Sequence, residues 1–326
     1  LVLPLCFAAP AAAQLPPVGI IDFYGLRTLV PADLAGALAL QIGDSLPTSP
    51  ETLRDRLLLV PGVQDAAVSA VCCENGRTIV YVGIREAGAS VLEFNAAPTG
   101  SARLPDEIMT TGREFTYALV EGVQRGQNDQ DDSAGYSSYL YPPARAAQQK
   151  LIDYATHNEH ALREVLLGSD DATHRALAAQ VIAYVPNKQA IVAHLVTAAR
   201  DADADVRNNA VRALAVLSMY AQSHPDAGLN VPYGPLIDLL NSLAWTDRNK
   251  ASYALAALTT GRDPVLLQQL REQALASLVE MARWRAFGHA AAAGMILGRL
   301  ANVAEDKIFP MLQKNREGLI RAALEH

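Results

Sequence analysis

Clustered positive charge is what this chain lacks most. Its 27 lysines and arginines are outnumbered by 34 aspartates and glutamates, the net charge is −7, and no lysine-rich run occurs. Phosphate recognition needs a concentrated basic surface, which excludes nucleic acid as a partner; attraction to anionic lipid is disfavoured on the same ground. Catalytic signatures are missing too. There is no Gly-rich phosphate loop, no G-x-S-x-G elbow and no H-E-x-x-H pair. His174, His194, His224 and His289 are scattered singly. His157 and His160 can share a helix face, but no third ligand is fixed by spacing. Asp201-x-Asp203-x-Asp205 opens like a calcium loop, yet its sixth and twelfth positions are Val206 and Arg212, where glycine and glutamate are required. The acidic loop at Asp129, Asp131 and Asp132 offers no complete ligand series. No catalytic, cofactor-binding or metal-binding residues are therefore expected, and no cofactor.

Long apolar runs are also scarce. Ala290 to Leu297 is the most apolar late stretch, but it is too short to span a bilayer and Arg299 interrupts it. Residues 1–13, LVLPLCFAAPAAA, read as the apolar part of a secretory signal with Ala11-x-Ala13 before a cut at Gln14. The expected product is periplasmic or extracellular, with no membrane insertion after cleavage. Of 3 cysteines, only Cys72 and Cys73 would then remain. Neighbours on a strand point to opposite faces, so two buried free thiols are expected, or a disulfide to another chain.

What the chain does have is repetition. Arg207, Ala210, Leu214 and Leu217 share one helical face. Arg175, Ala178, Ile182 and Val185 repeat them 32 residues earlier, and Arg248, Ala251, Leu255 and Leu258 41 residues later. Ala293, Leu297 and Leu300 give a fourth copy after a further 42. The aspartates before Val206 suit a helix N-terminus. Such self-similarity is the signature of a helical solenoid, and the Asp, Val-Arg, Ala and Leu positions resemble HEAT-like repeats. Second helices are expected over Lys188 to Arg200, Leu236 to Ala244, Pro264 to Arg283 and Lys307 to Leu324, with a capping helix from Ala144.

The N-terminal part reads differently. VGIIDFY at Val18 to Tyr24 is a β-branched and aromatic strand. Pro31 and Ser49-Pro50-Glu51 open helices, the first carrying Leu34, Leu38 and Ile42 and stopping at Gly43. Val63 to Cys72 and Arg77 to Arg85 form a hairpin about Asn75-Gly76. With Ile21-Asp22-Phe23-Tyr24-Gly25, Gly43-Asp44, Val60-Pro61-Gly62-Val63 and Val80-Tyr81-Val82 before Glu86, this βααββ segment resembles a POTRA domain. The expected fold is thus multidomain: a signal remnant at 1–13, a small α+β POTRA-like domain at 14–86, a linker with one helix at 87–143, and an all-α HEAT-like solenoid at 144–326.

Together these resemblances imply a non-enzymatic, protein-binding adaptor of the bacterial cell envelope whose partners are other envelope proteins. A secreted metal-dependent enzyme or a HEAT-like lyase is the alternative. Two surfaces are expected to bind. On the last strand Val80, Val82 and Ile84 face the helices, leaving Ile79 and Tyr81 for the following helix or a partner. On the second helices, Gln189, Thr197 and Arg200, then Asp238 and Asn241, then Gln269, Glu272 and Gln273 lie opposite the apolar stripes. That polar, acidic-leaning row suits a polar or basic protein segment.

Overall fold

The computed structural model describes residues 15–47 and 49–325; the apolar leader and Gln14 lie outside the described residues. The chain divides into two compact units, one of residues 93–236 and one joining 15–92 to 237–325. This differs from the boundaries expected from sequence. The type of element changes at the expected boundaries, whereas contacts group the α/β module with the late helices.

The module runs β1 (Val18–Tyr24), α1 (Pro31–Leu38), α2 (Pro50–Leu57), β2 (Val63–Glu74), β3 (Arg77–Glu86), the βααββ order read from sequence. β3 is central, parallel to β1 and antiparallel to β2. Asn75 and Gly76 turn the hairpin with φ of 51° and 72°, the left-handed pair that matches strand twist. Val80, Val82 and Ile84, alternating along β3, join Leu34, Leu38, Leu53 and Leu57 in one core. α1 is shorter than expected. Ala39 turns left-handed, and Ile42 is 58% exposed. The backbone at 43–44 instead pairs with Val18, through Val18 N to Asp44 O and Gly43 N to Val18 O, which a continued helix would forbid. Cys72 and Cys73 are joined to each other across a cis peptide bond, where the register of β2 on β3 shifts. The free-thiol and partner-disulfide expectations are thereby corrected.

Glu86 ends β3 and organises the loop after β1. Its carboxylate accepts from the backbone N–H groups of Arg27, Thr28 and Leu29 at 2.7–3.1 Å, and from the Thr28 hydroxyl. Burial by itself would raise its pKa, but these donors outweigh it and hold the group at about 2 against an ordinary 4.5. The folded state therefore favours the ionised form. The stability it adds is present above the unfolded pKa and is lost as pH falls from 4.5 towards 2. Glu86→Gln is expected to cost about 2–3 kcal/mol at neutral pH, since hydrogen bonds to charged acceptors contribute about 1.5–3 kcal/mol. It should also flatten that acid limb. Acid titrations of both proteins, followed by circular dichroism, check it; an unchanged acid limb refutes it.

Unit 93–236 begins with an extended strap, residues 93–104, expected to be linker. Asn95 N donates to Arg200 O at 2.7 Å, Gly100 N to Gly168 O at 2.9 Å, and Leu104 N to the His174 Nδ1 at 3.0 Å. Phe94 lies under the Arg207 guanidinium at 3.7 Å. Small residues permit this close main-chain pairing across the turns between helices. Then come α3 (Asp106–Gln124), the short hairpin β4 (Gln130–Asp131) and β5 (Ser138–Tyr139), α4 (Pro142–His157), α5 (Glu159–Gly168), α6 (Ala172–Val181), α7 (Lys188–Ala198), α8 (Ala204–Ser223) and the six-residue α9 (Gly234–Leu239), within which the division between the units falls. α3 packs on α4 and α6, so it belongs to the helical array and not to a linker. α6 lies on α8, and α5 on α7, so alternate helices form two layers, as stacked repeats require.

In the other unit the helices are α10 (Trp245–Leu258), α11 (Pro264–Ala282), α12 (Phe287–Leu300), α13 (Glu305–Lys314) and α14 (Arg316–Glu325). Two expected second helices are interrupted. The chain turns after Leu239 instead of continuing to Ala244, and Asn315 separates α13 from α14. The free face of β3 packs here. The Tyr81 ring stacks on Trp245 at 4.9 Å and 14°, and lies 4.9 Å from Trp284. A β-carbon on Gly83 would sit 2.5 Å from Leu243 O, so glycine is required for the strand to come this close. Tyr24 donates to that same carbonyl at 2.7 Å, and Arg285 holds Asp22 at 2.8 Å.

Candidate functional site

The repeat arginines do structural work. Arg175 donates to Ser169 O at 2.9 Å, Arg207 to Asp201 O at 2.8 Å, and Arg248 to Ser242 O at 2.6 Å. Each reaches the carbonyl six residues before it, so the sequence register is also a structural one. Arg175 further grips Asp201 through two bonds of 2.9 Å, both side chains being buried. The Asp201 to Asp205 run is helix capping: Asp203 accepts from Asp205 N and Val206 N. Among the described residues no group of three or more His, Cys, Asp or Glu side chains could hold a metal ion. His157 and His160 are exposed.

Ile79 and Tyr81 are 1% and 0% exposed. Their side chains are filled by the chain itself, so neither offers a surface to a partner, and replacing both by aspartate would test stability only. The Tyr81 hydroxyl meets the His289 Nδ1 at 2.7 Å. Burial, helped by the charge of Lys250, lowers the His289 pKa to about 4. The imidazole is therefore neutral at pH 7 and shares one hydrogen bond with the tyrosine hydroxyl.

The expected row on the second helices keeps its polarity at the surface, with Gln189, Thr197, Asn241, Glu272 and Gln273 exposed and Arg200, Asp238 and Gln269 half-buried. Part of it is engaged. The strap residue Asn95 uses the carbonyls of Thr197 and Arg200. Gln189 accepts from Asn230 N at 3.2 Å. Asn241 donates to Gln273 O at 3.0 Å and accepts from Ser277 at 2.7 Å, tying neighbouring helices. On α11, Gln268 donates to Glu272 at 2.8 Å.

A concave site that the sequence reading missed lies in unit 93–236. Tyr136, Ser137 and Tyr139 of the β4–β5 hairpin face Gln180, Tyr184, Asn209 and Arg212 across a cavity of about 40 Å³. Fully buried Gln148 fixes the hairpin, accepting from Tyr139 N at 3.0 Å and donating to Ser137 O at 2.6 Å and the Tyr184 hydroxyl at 3.2 Å. Arg212 donates to Gln130 at 2.8 Å, and its guanidinium lies 5.6 Å from the Tyr139 ring centre. Lys188 stands 4.7 Å over the Tyr136 ring while donating to Ala183 O; burial lowers its pKa to about 8. A signal for this site existed. Three of the 11 tyrosines of an aromatic-poor chain fall between 136 and 141. The acidic residues of that loop form no ligand series, and Asp131 caps Ser133 N.

No family model matches the chain, and no curated protein matches it. Several engineered solved structures do. One engineered protein is 19% identical, with 68% of this chain and 96% of that one covered, at a TM-score of 0.38. A designed armadillo repeat protein is 20% identical over 67% and 98%, at 0.37. Another, solved in complex with the peptide (KR)4, is 19% identical over 68% and 99%, at 0.36. The helical-repeat architecture of this chain rests on its own layered helices and on the recurring bond made by Arg175, Arg207 and Arg248.

Proposed function

We propose that the chain is a non-enzymatic protein-binding scaffold of the bacterial cell envelope, built from a POTRA-like module and HEAT-like repeats and exported through its apolar leader. The observation that carries this is the contrast along α11. Leu266, Leu270, Ala274 and Leu278 are buried, while Glu272 and Gln273 remain exposed beside half-buried Gln269. Side chains that bury so little add little to stability, so their polarity is available for recognition. The row leans acidic and fits a polar or basic segment of a partner.

Making the face basic tests it. Glu272→Lys with Gln273→Lys is expected to weaken capture of the native partner at least tenfold, while the melting temperature moves by less than about 2 °C, as for a surface change within about 0.5 kcal/mol. Capture by in-cell photo-crosslinking from Gln269 reads the first quantity and calorimetry the second. Unaltered capture by the folded variant removes α11 as the binding face. Sequencing the native N-terminus tests export, with Gln14 expected first.

A further inference from the structure

We propose that the cavity between the β4–β5 hairpin and the α6–α8 layer is a subsite for a carboxylate group presented by a protein partner. This rests on the scaffold reading in one respect only, that the carboxylate is carried by a polypeptide.

Size comes first. A water needs about 10–15 Å³ of such space, so about 40 Å³ holds a group of two or three heavy atoms beyond the rim. Drug-sized ligands and cofactors need several hundred. The site therefore takes the end of one side chain or of one polypeptide.

Chemistry comes second. Ser137 lines the cavity at 7% exposure, and its hydroxyl finds no hydrogen-bond partner among the described residues. A buried hydroxyl without a partner costs free energy that an incoming acceptor would offset. Arg212 lines the same space and Lys188 stands at the Tyr136 wall. Among the described residues neither cation has an ion-pair partner. Asp132 is the opposing charge nearby. Burial raises the Tyr139 pKa, and of the two ions acting on that ring Arg212 outranks Asp132. At Tyr184, also raised by burial, Arg212 acts to lower the value while Tyr139 and Tyr136 act to raise it. Arg212 and Lys188 thus set two cations beside the cavity against the one carboxylate of Asp132. The guanidinium fork suits the planar two-oxygen geometry of a carboxylate, and tyrosine and amide side chains can donate to its remaining lone pairs.

The carboxylate has two polypeptide sources, an acidic side chain or a chain terminus, and three tripeptides separate them. The full chain, labelled with 13C at the tyrosine ε positions, is titrated with Ac-Gly-Gly-Glu-NH2, Ac-Gly-Gly-Gly-OH and the neutral Ac-Gly-Gly-Gln-NH2. Tyr136, Tyr139 and Tyr184 resonances, assigned by single phenylalanine variants, report occupancy. At least one carboxylate peptide is expected to shift them with a Kd near 1 mM, the scale of a single wet ion pair at about −4 kcal/mol, and the glutamine peptide at least tenfold more weakly. Whichever binds names the source. Arg212→Gln should weaken binding at least tenfold and Ser137→Ala about threefold. Lys188→Gln is the second charge variant should Arg212→Gln fail to fold, and it should weaken binding measurably. Equal shifts by the glutamine peptide overturn the proposal, as does no shift at 20-fold the expected Kd, or full binding by a folded Arg212→Gln chain. None of these outcomes involves the native partner or α11, so they are read separately from the capture experiment.

Discussion

Asp201→Ala is expected to destabilise unit 93–236 by about 3–5 kcal/mol, the cost of breaking a buried ion pair from one side. The Arg175 and Asp201 side chains are 2% and 6% exposed, so removing the carboxylate strands a guanidinium with nowhere to hydrate. Asp201 also accepts from Asp203 N at 2.8 Å, which positions the Asp203 cap of α8. The loss should thus reach two successive repeats. Replacing both partners, Arg175→Met with Asp201→Leu, removes the desolvation cost along with the attraction. It is expected to recover most of the loss, since apolar replacements of buried pairs are often neutral or stabilising by about 1–4 kcal/mol. Both tryptophans, Trp245 and Trp284, lie in the other unit, so tryptophan fluorescence does not report this change. Hydrogen exchange in α6 and α8 does. A loss below about 1 kcal/mol for the single variant would show that the pair is not buried in solution.

Trp245→Ala should cost about 3–5 kcal/mol in the unit that holds the sheet, the usual range for truncating a fully buried aromatic. Trp245 is 0% exposed and stacks on Tyr81, and such pairs add about 0.5–1.5 kcal/mol beyond area burial. Its indole N–H has no hydrogen-bond partner among the described residues. Trp245→Phe, which keeps a ring and drops that N–H, should therefore cost far less, under about 2 kcal/mol. The same cluster sets a pH response. His289, with an ordinary pKa of 6.5, is held at about 4 in the fold. The unfolded chain binds the extra proton between those values, so stability is full above 6.5 and falls as pH drops towards 4. His289→Gln should remove that slope while leaving the lower Glu86 limb in place. Denaturant titrations across pH 4–7, read by Trp fluorescence, measure both effects; a Trp245→Ala chain as stable as the parent sinks the account.

Local chemistry was legible without coordinates. Proline and serine starts, the Asn75-Gly76 turn and the alternation of Val80, Val82 and Ile84 fix the βααββ module, because each depends on a few adjacent residues. The period of Arg175, Arg207 and Arg248 likewise gives the helical repeats, since a residue six positions from its carbonyl partner needs nothing distant. Three things were decided only by tertiary structure. Tyr81 could face solvent, a partner or a helix by its pattern; only packing brings Trp245, Trp284 and His289, more than 160 residues away in sequence, onto it. The segment 93–104 looks like linker because its small residues carry no periodicity, yet its backbone pairs with turns near Gly168 and Arg200, and main-chain hydrogen bonding is invisible to side-chain pattern. The cavity at Ser137 and Arg212 joins residues from a hairpin, α6 and α8. What each side chain could recognise was written in the sequence. That they converge was set by how the helices stack, because a site made of distant segments has no local signature.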